Sequence, residues 1–295
     1  MTQPDLERAF SRACALDVAA LKPGNVSLAS SGHGMEAAQF IASATAAAPA
    51  LCAAGAPVGR RILEAVLATR SVVDCNTNLG ILLLCAPLAA AGEAIEAAAV
   101  EERLGQLRAQ VQRQLYALTV DDARHAFKAI ALANPGGLGA AEEQDVRGEA
   151  TVSLLAAMQL AADRDVIARQ YANAYTEVFD VGLAAWCDAA ATGAAGLLEL
   201  RMQHAYLALL ARCPDSHIVR KHGEVAAREV AQEAAGWRVR VQEDALAAQE
   251  GLAQWDRELK RAGLNPGTSA DLAVATAFIA EMAFSQSGRG HTIAG

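Results

Sequence analysis

The side chains able to do chemistry fall in a few tight clusters between long apolar stretches: Lys22–Asn25, His33, Asp74–Asn78, Asp215–Gly223 and Asn265–Asp271. The densest reads Asp215-Ser216-His217-Ile218-Val219-Arg220-Lys221-His222-Gly223. Pro214 stops the preceding helix, and Asp215 is a natural N-cap for a new one. On that helix His217 and Lys221 lie one turn apart on one face, flanked by Arg220 and His222. A helix start also exposes free backbone N–H groups and a partial positive charge, which suit phosphate. Asn265-Pro266-Gly267-Thr268-Ser269-Ala270-Asp271 reads as turn, cap and helix, and Thr268 with Asp271 has the spacing of a capping box. Asp17 is an anomaly of another kind. It falls on the apolar stripe Leu6, Phe10, Ala13, Cys14, Leu21, where pairing with nearby Lys22 would explain it. Taken singly, each cluster has an ordinary reading as a solvated helix start, a cap or a helix stop.

These clusters must be held by helices. Of the 295 residues 71 are alanine, 53% are hydrophobic and only 4% are aromatic. Alanine is the best helix former and is poor in strands. The composition therefore argues against a β-sandwich, a barrel or a disordered chain. Apolar residues at i, i+3 and i+4 predict helices over Asp5–Leu21, Met35–Ala48, Arg60–Ser71, Leu79–Ala91, Val120–Leu132, Thr151–Ala162, Asp165–Tyr175, Val178–Ala190, Leu197–Ala211 and Thr268–Ala283. Glu93–Leu118 is an amphipathic stretch, and further helices run from Asp215 to Ala262. Breaks are expected at Lys22–Asn25 and at Asn134–Gly139, while the uncharged run Ala37–Gly59, interrupted by Gln39, Ser43, Thr45, Pro49, Gly55 and Pro57, reads as buried core helix. No repeat, linker or composition shift divides the chain. The expected fold is all-α, a single large multi-helix globular domain over residues 1–284, with a mobile tail over 285–295.

Lys plus Arg is 25 against 33 Asp plus Glu, a net charge of −8, the reverse of a general nucleic-acid binder. A small polyanion would need a local basic cluster or a metal ion. The six cysteines, Cys14, Cys52, Cys75, Cys85, Cys187 and Cys213, form no CxxC pair and read as small hydrophobes in a reducing cytoplasm. The start of the chain has no basic and apolar leader. Leu79–Ala91 is too short for the ~20 residues that span a bilayer. No membrane partner is expected, and oligomeric state is not legible.

In series, the clusters say more than they do singly. Leu16–Ser27 (LDVAALKPGNVS), Gly32–Met35 (GHGM), Asn76–Gly80 (NTNLG), Asp215–Gly223 (DSHIVRKHG) and Asn265–Leu272 (NPGTSADL) resemble, in this order and over this span, the triphosphoribosyl-dephospho-CoA synthase family. Those enzymes make the prosthetic-group precursor of citrate and malonate decarboxylases.

The resemblance implies an all-helical enzyme that takes ATP as ribosyl donor and small-molecule partners only. It expels adenine and joins the triphosphoribosyl group to the 2′-hydroxyl of 3′-dephospho-CoA. The ribose–adenine bond would break through an oxocarbenium-like transition state. On that reading Asp17 and Asp271 are candidates to stabilise the cation or take the acceptor's proton, and His217, His222 or His33 to protonate adenine. Lys22, Arg220, Lys221 and Mg²⁺ would offset the triphosphate, with Asp215 and Asp17 as metal ligands. Gly24, Ser216, Gly267, Thr268 and Ser269 would hold phosphate oxygens. Asn25, Asn76, Thr77, Asn78 and Asn265 would orient hydroxyls or a base edge.

The chain also departs from the family pattern. His33-Gly34-Met35 stands where the family has HxDM, and Asn76-Thr77-Asn78-Leu79-Gly80 where it has NTHKG. Asn134–Gly139 (NPGGLG), Glu142, Glu143 and Asp145 look like features of a divergent branch. The acceptor could then differ, a tetrahydromethanopterin precursor being one candidate. A catalytically inactive nucleotide-binding helical protein is the other alternative. A P-loop kinase is disfavoured because GxxxxGK[ST] is absent.

Overall fold

The computed structural model describes residues 1–96, 99–134, 144–191 and 197–284. Among them are thirteen α-helices, one π-helical turn and no strand. The helices are α1 Gln3–Ala19, α2 Ala37–Leu51, α3 Val58–Arg70, α4 Leu79–Gly92, α5 Val100–Tyr116, α6 Val120–Ala133 and α7 Leu154–Ala161. Then follow α8 Val166–Ala172, the π turn Glu177–Gly182, α9 Leu183–Ala191, α10 Leu198–Arg212, α11 Ser216–Glu243, α12 Gln249–Arg261 and α13 Gly267–Phe284. Most of NPGGLG, Glu142, Glu143 and the 285–295 tail lie outside the described residues.

Two helices form the axis of the bundle. In α4 every residue but Gly80 is buried, and in α13 every residue from Thr268 to Ala283 but Asp271 is buried. They pack on each other, and α1, α3, α5 and α10 surround them. One continuous apolar cluster runs from Leu6 to Met282. Small residues let these helices approach closely. A side chain on Gly92 would press on Leu6 and Met282, and one on Gly59 would strike the α6 backbone at Asp122. The abundance of alanine and glycine is thus a packing requirement as well as a helix preference. No described helix is long and apolar enough to cross a membrane. Cys14, Cys52, Cys85 and Cys213 are buried free thiols; burial pushes Cys52 up to about 12.

Local chemistry moved several expected boundaries. Pro49 sits inside α2, not at its end, while Pro87 sits inside α4, as the expected helix Leu79–Ala91 has it. A proline cannot donate to the carbonyl four residues back. In α4 the Tyr171 hydroxyl donates to the freed Leu83 carbonyl at 2.6 Å, and Tyr175 donates to Leu84 at 2.8 Å. Between the two tyrosines the chain is not helical. It leaves α8 at Ala172, takes positive φ at Ala174 and Tyr175, and re-enters through the π turn. This is why the expected helices Asp165–Tyr175 and Val178–Ala190 are reshaped. Gly223, with φ 85°, breaks the helical path of α11 after its second turn.

Candidate active site

A cavity of about 470 Å³ lies where the ends of α1, α4, α8, α11 and α13 meet, with α6 and α7 on its far side. Of the residues singled out in the sequence, Asp17, Asn25, His33, Asn76, Thr77, Asn78, His217, Arg220, Lys221, Asn265, Gly267, Thr268 and Asp271 line it. Stretches up to some 250 positions apart thus converge on one space. Six others do not line it: Lys22, Gly24, Asp215, Ser216, His222 and Ser269.

Asp271 stands at the start of the second turn of α13. The expected Thr268–Asp271 capping box does not form, since the carboxylate accepts no hydrogen bond from any described residue. It points instead at α4, where a side chain on Gly80 would collide with its Oδ2 and press on Ile167. The glycine of NTNLG is therefore the floor on which this carboxylate rests. Burial, with Asp17 and Asp215 nearby, pushes the Asp271 carboxyl well above the usual range; Arg220 opposes this. A strongly raised carboxylate in a cavity is the signature of a candidate acid or base.

Asp215 has a different task. Its Oδ1 accepts from the N–H groups of His217 and Ile218, at 2.8 and 3.2 Å. Its Oδ2 accepts from the N–H and hydroxyl of Ser269, at 2.7 and 2.8 Å. Those bonds occupy the acceptor capacity of the carboxylate. Asp215 caps α11 and pins the first turn of α13, so the expected metal role is corrected to a structural one. Ser269 is spent on the same carboxylate, and the Ser216 hydroxyl accepts from Val166 N–H at 2.8 Å. The Ser216 O–H is still free to donate, but it is buried and does not line the cavity.

Asp17 is buried at the end of α1, its Oδ1 3.2 Å from the Lys22 ammonium. Lys22 is fully buried and also donates to the Asp17 carbonyl at 2.6 Å and to Asn25 Oδ1 at 3.1 Å. Its protons are engaged, so the expected phosphate contact is corrected to a pillar of the Lys22–Ser27 turn. Burial raises the Asp17 carboxyl and Lys22 lowers it. Neither Asp17 nor Asp215 fits a protein-held metal, and no cluster of three His, Cys, Asp or Glu among the described residues could hold one. Asn25 donates to Asn265 Oδ1 at 3.0 Å, which joins the two loops across the cavity floor. Gly24, with φ 82°, packs on Pro266 and donates its N–H to buried Asp256 at 2.9 Å.

The histidines separate. His33 bonds the Gly24 carbonyl through Nε2 at 2.9 Å. A carbonyl only accepts, so Nε2 carries a proton in this bond and Nδ1 is the nitrogen left free. His217 packs against Gly267, and its buried Nε2 has no partner among the described residues. Burial, with Lys221, Arg220, His33 and His222 close by, pushes its pKa down to about 4. It is therefore neutral at pH 7. His222 bonds the Gly263 carbonyl at 3.1 Å on the exposed face, away from the cavity, which removes it from the acid candidates.

Asn76 caps α4 through Leu79 N–H, Asn78 and Thr69 hold each other, and Thr77 bonds Ser43. The NTNLG side chains thus mainly build the start of α4. Sequence reasoning missed Asp165 altogether. It caps α8 with one oxygen and receives Arg220 Nη1 with the other at 2.7 Å, leaving Arg220 Nε buried and without a partner. The signal was present: an aspartate at an expected helix start, read only as a boundary. The apolar far wall was also missed, because Phe127, Ile130, Met158 and Ile167 look like any core positions.

Fold and site together define a class: an all-helical protein whose small-molecule cavity sits at the N-termini of two helices, α11 and α13. The family model of ATP:dephospho-CoA triphosphoribosyl transferases matches residues 3–288, and the chain belongs to that family. The family uses ATP as donor. A solved chain from Archaeoglobus fulgidus, assigned as a triphosphoribosyl-dephospho-CoA synthase, shares the fold with a TM-score of 0.62. It is 21% identical, and the alignment covers 85% of this chain and 100% of that one. No curated protein matches the chain.

Proposed function

We propose that this chain transfers the triphosphoribosyl group of ATP to the 2′-hydroxyl of 3′-dephospho-CoA with release of adenine. The observation that carries the reading is Asp271, a raised carboxylate resting on Gly80 in the cavity that the starts of α11 and α13 also line. The N-termini of α11 and α13, with Arg220 and Lys221, suit the triphosphate. Asn25 and Asn265 suit the ribose hydroxyls. The bond from ribose C1′ to adenine breaks, and the acceptor oxygen bonds to C1′. Asp271 takes the hydroxyl proton, and adenine leaves protonated. A carboxylate without hydrogen-bond partners gains most when positive charge develops beside it, so it favours the transition state over the ground state. His33 and His217 are the proton donors within the cavity. The neutral state of His217 assigns it a hydrogen-bonding role until phosphate raises its pKa.

The test is chromatography of free adenine from ATP and Mg²⁺, with and without dephospho-CoA. The expected result is adenine only with dephospho-CoA, with a product heavier by one triphosphoribosyl group. ATP binding without adenine would overturn the reading and leave a helical nucleotide-binding protein.

A further inference from the structure

The two ends of the cavity differ in chemistry. The end made by α11, α13 and the Lys22–Asn25 turn carries amides, Arg220, His217 and two helix N-termini. The end made by α6, α7 and α8 is walled by Phe127, Ile130, Ala157, Met158, Ala161 and Ile167. Four of these six are aliphatic or aromatic side chains larger than alanine, and none can bond a phosphate. The charged groups near this end are Arg164 and Asp165 from the α7–α8 junction, and Asp145 on the segment before α7, which pairs with Arg147. Asp165 is bound to Arg220. Arg164 is exposed, next to Leu160, which is 50% exposed, so the two stand at the rim. Asp271 is the seam between the ends, because its carboxylate and the Ile167 side chain meet over Gly80.

A triphosphate can be held only at the first end. The second end then takes the other reactant, and its lining sets what that reactant presents. We infer that the acceptor enters with an uncharged, ring-bearing end, seated on Phe127, Met158 and Ile167, and leaves its anionic groups at the rim beside Arg164. Apolar walls with a few polar groups at one edge are how small-molecule pockets bind flat rings. The inference rests on the proposed transfer. For dephospho-CoA the inserted end is its adenosine, whose hydroxyls come to Asp271 while the diphosphate and the arm beyond stay outside. The minimal acceptor is then a bare nucleoside.

The experiment offers adenosine in place of dephospho-CoA and follows free adenine and product mass. Adenosine is expected to be accepted, with kcat within about tenfold of that for dephospho-CoA and a higher KM. Ala161→Trp, which fills the chamber from a partly exposed position, should raise KM for both acceptors about tenfold or more and leave KM for ATP unchanged. Arg164→Ala, at an exposed site that folding does not need, should raise KM for dephospho-CoA alone. Turnover of dephospho-CoA with adenosine neither accepted nor competitive would overturn the inference and spare the proposed reaction. If dephospho-CoA is not turned over, the proposed reaction fails. Dialysis of labelled adenosine against ATP-saturated protein then decides the inference. One site lost in Ala161→Trp supports it; no binding overturns it.

Discussion

Asp215 and Asp271 flank the start of the same helix, and both carboxyls are raised by burial. They differ in what reaches them. Asp215 accepts hydrogen bonds from His217, Ile218 and Ser269. Asp271 accepts none from the described residues and rests on a glycine. A buried carboxylate with a full set of donors is part of the framework, since its charge is already compensated. One without protein donors that faces a cavity keeps its charge available to a bound partner. The comparison separates structure from chemistry where residue type does not.

The largest effect that would sharpen this contrast is that of Asp271→Asn. Loss of a positioned acid or base costs about 10²–10⁴-fold in rate, read as adenine release. Stability should move the other way. The native carboxyl titrates well above 3.8 and the unfolded one near 3.8, so the native state is weakened as pH rises above about 3.8. The asparagine removes that loss. Its melting temperature should exceed the parent's at pH 7 and match it near pH 3. A variant that is both fully active and no more stable would break the distinction.

Asp215→Ala should do the reverse. Two helix starts lose their acceptor, at about 1–2 kcal/mol each. Denaturant unfolding should show a loss of about 2–4 kcal/mol, and Asp215→Asn, which keeps an acceptor for α11, about half of it. Gly80→Ala comes next. The new methyl meets the end of the Asp271 side chain, so the fold can yield by turning the carboxylate aside. Displacing a catalytic group by about 1 Å can cost on the order of 10²-fold. Adenine release should fall by that order, with unfolding changed by less than about 1 kcal/mol.

The helices were legible because alanine-rich, periodic stretches have few other options. The convergence of the polar clusters was legible only through their resemblance to a known family. The partners of those clusters were not. Lys22 beside Asp17 was the exception, five positions apart, but nothing local in the sequence says that Asp215 reaches across to Ser269, 54 positions on. Pro49 misled for a similar reason, while the expected helix Leu79–Ala91 already ran through Pro87. Whether a proline ends a helix depends on the donors available to the carbonyls it frees, and for Pro87 those are tyrosines more than 80 positions away. Asp165 was hidden by its own local role as a cap.

The smallest effect tests whether the phosphate end is as electropositive as the contrast requires. His217 sits at about 4 because burial and the charges of Lys221, Arg220, His33 and His222 all disfavour its protonated form. An unfolded histidine binds its proton near 6.5, so stability should fall as pH drops from about 6.5 toward 4. The share due to this one group is on the order of 1–2 kcal/mol after solvent screening. His217→Gln should flatten that part of the profile. The same residue reports on occupancy. Inorganic tripolyphosphate placed among Arg220, Lys221 and the two helix N-termini would cancel the repulsion, and the imidazole midpoint followed by NMR should rise from about 4 toward its ordinary value. A midpoint near 6.5 in the empty protein would mean that solvent already screens the cluster. A low midpoint that tripolyphosphate leaves unmoved would put the anion elsewhere, and the polar end would lose its claim to the donor.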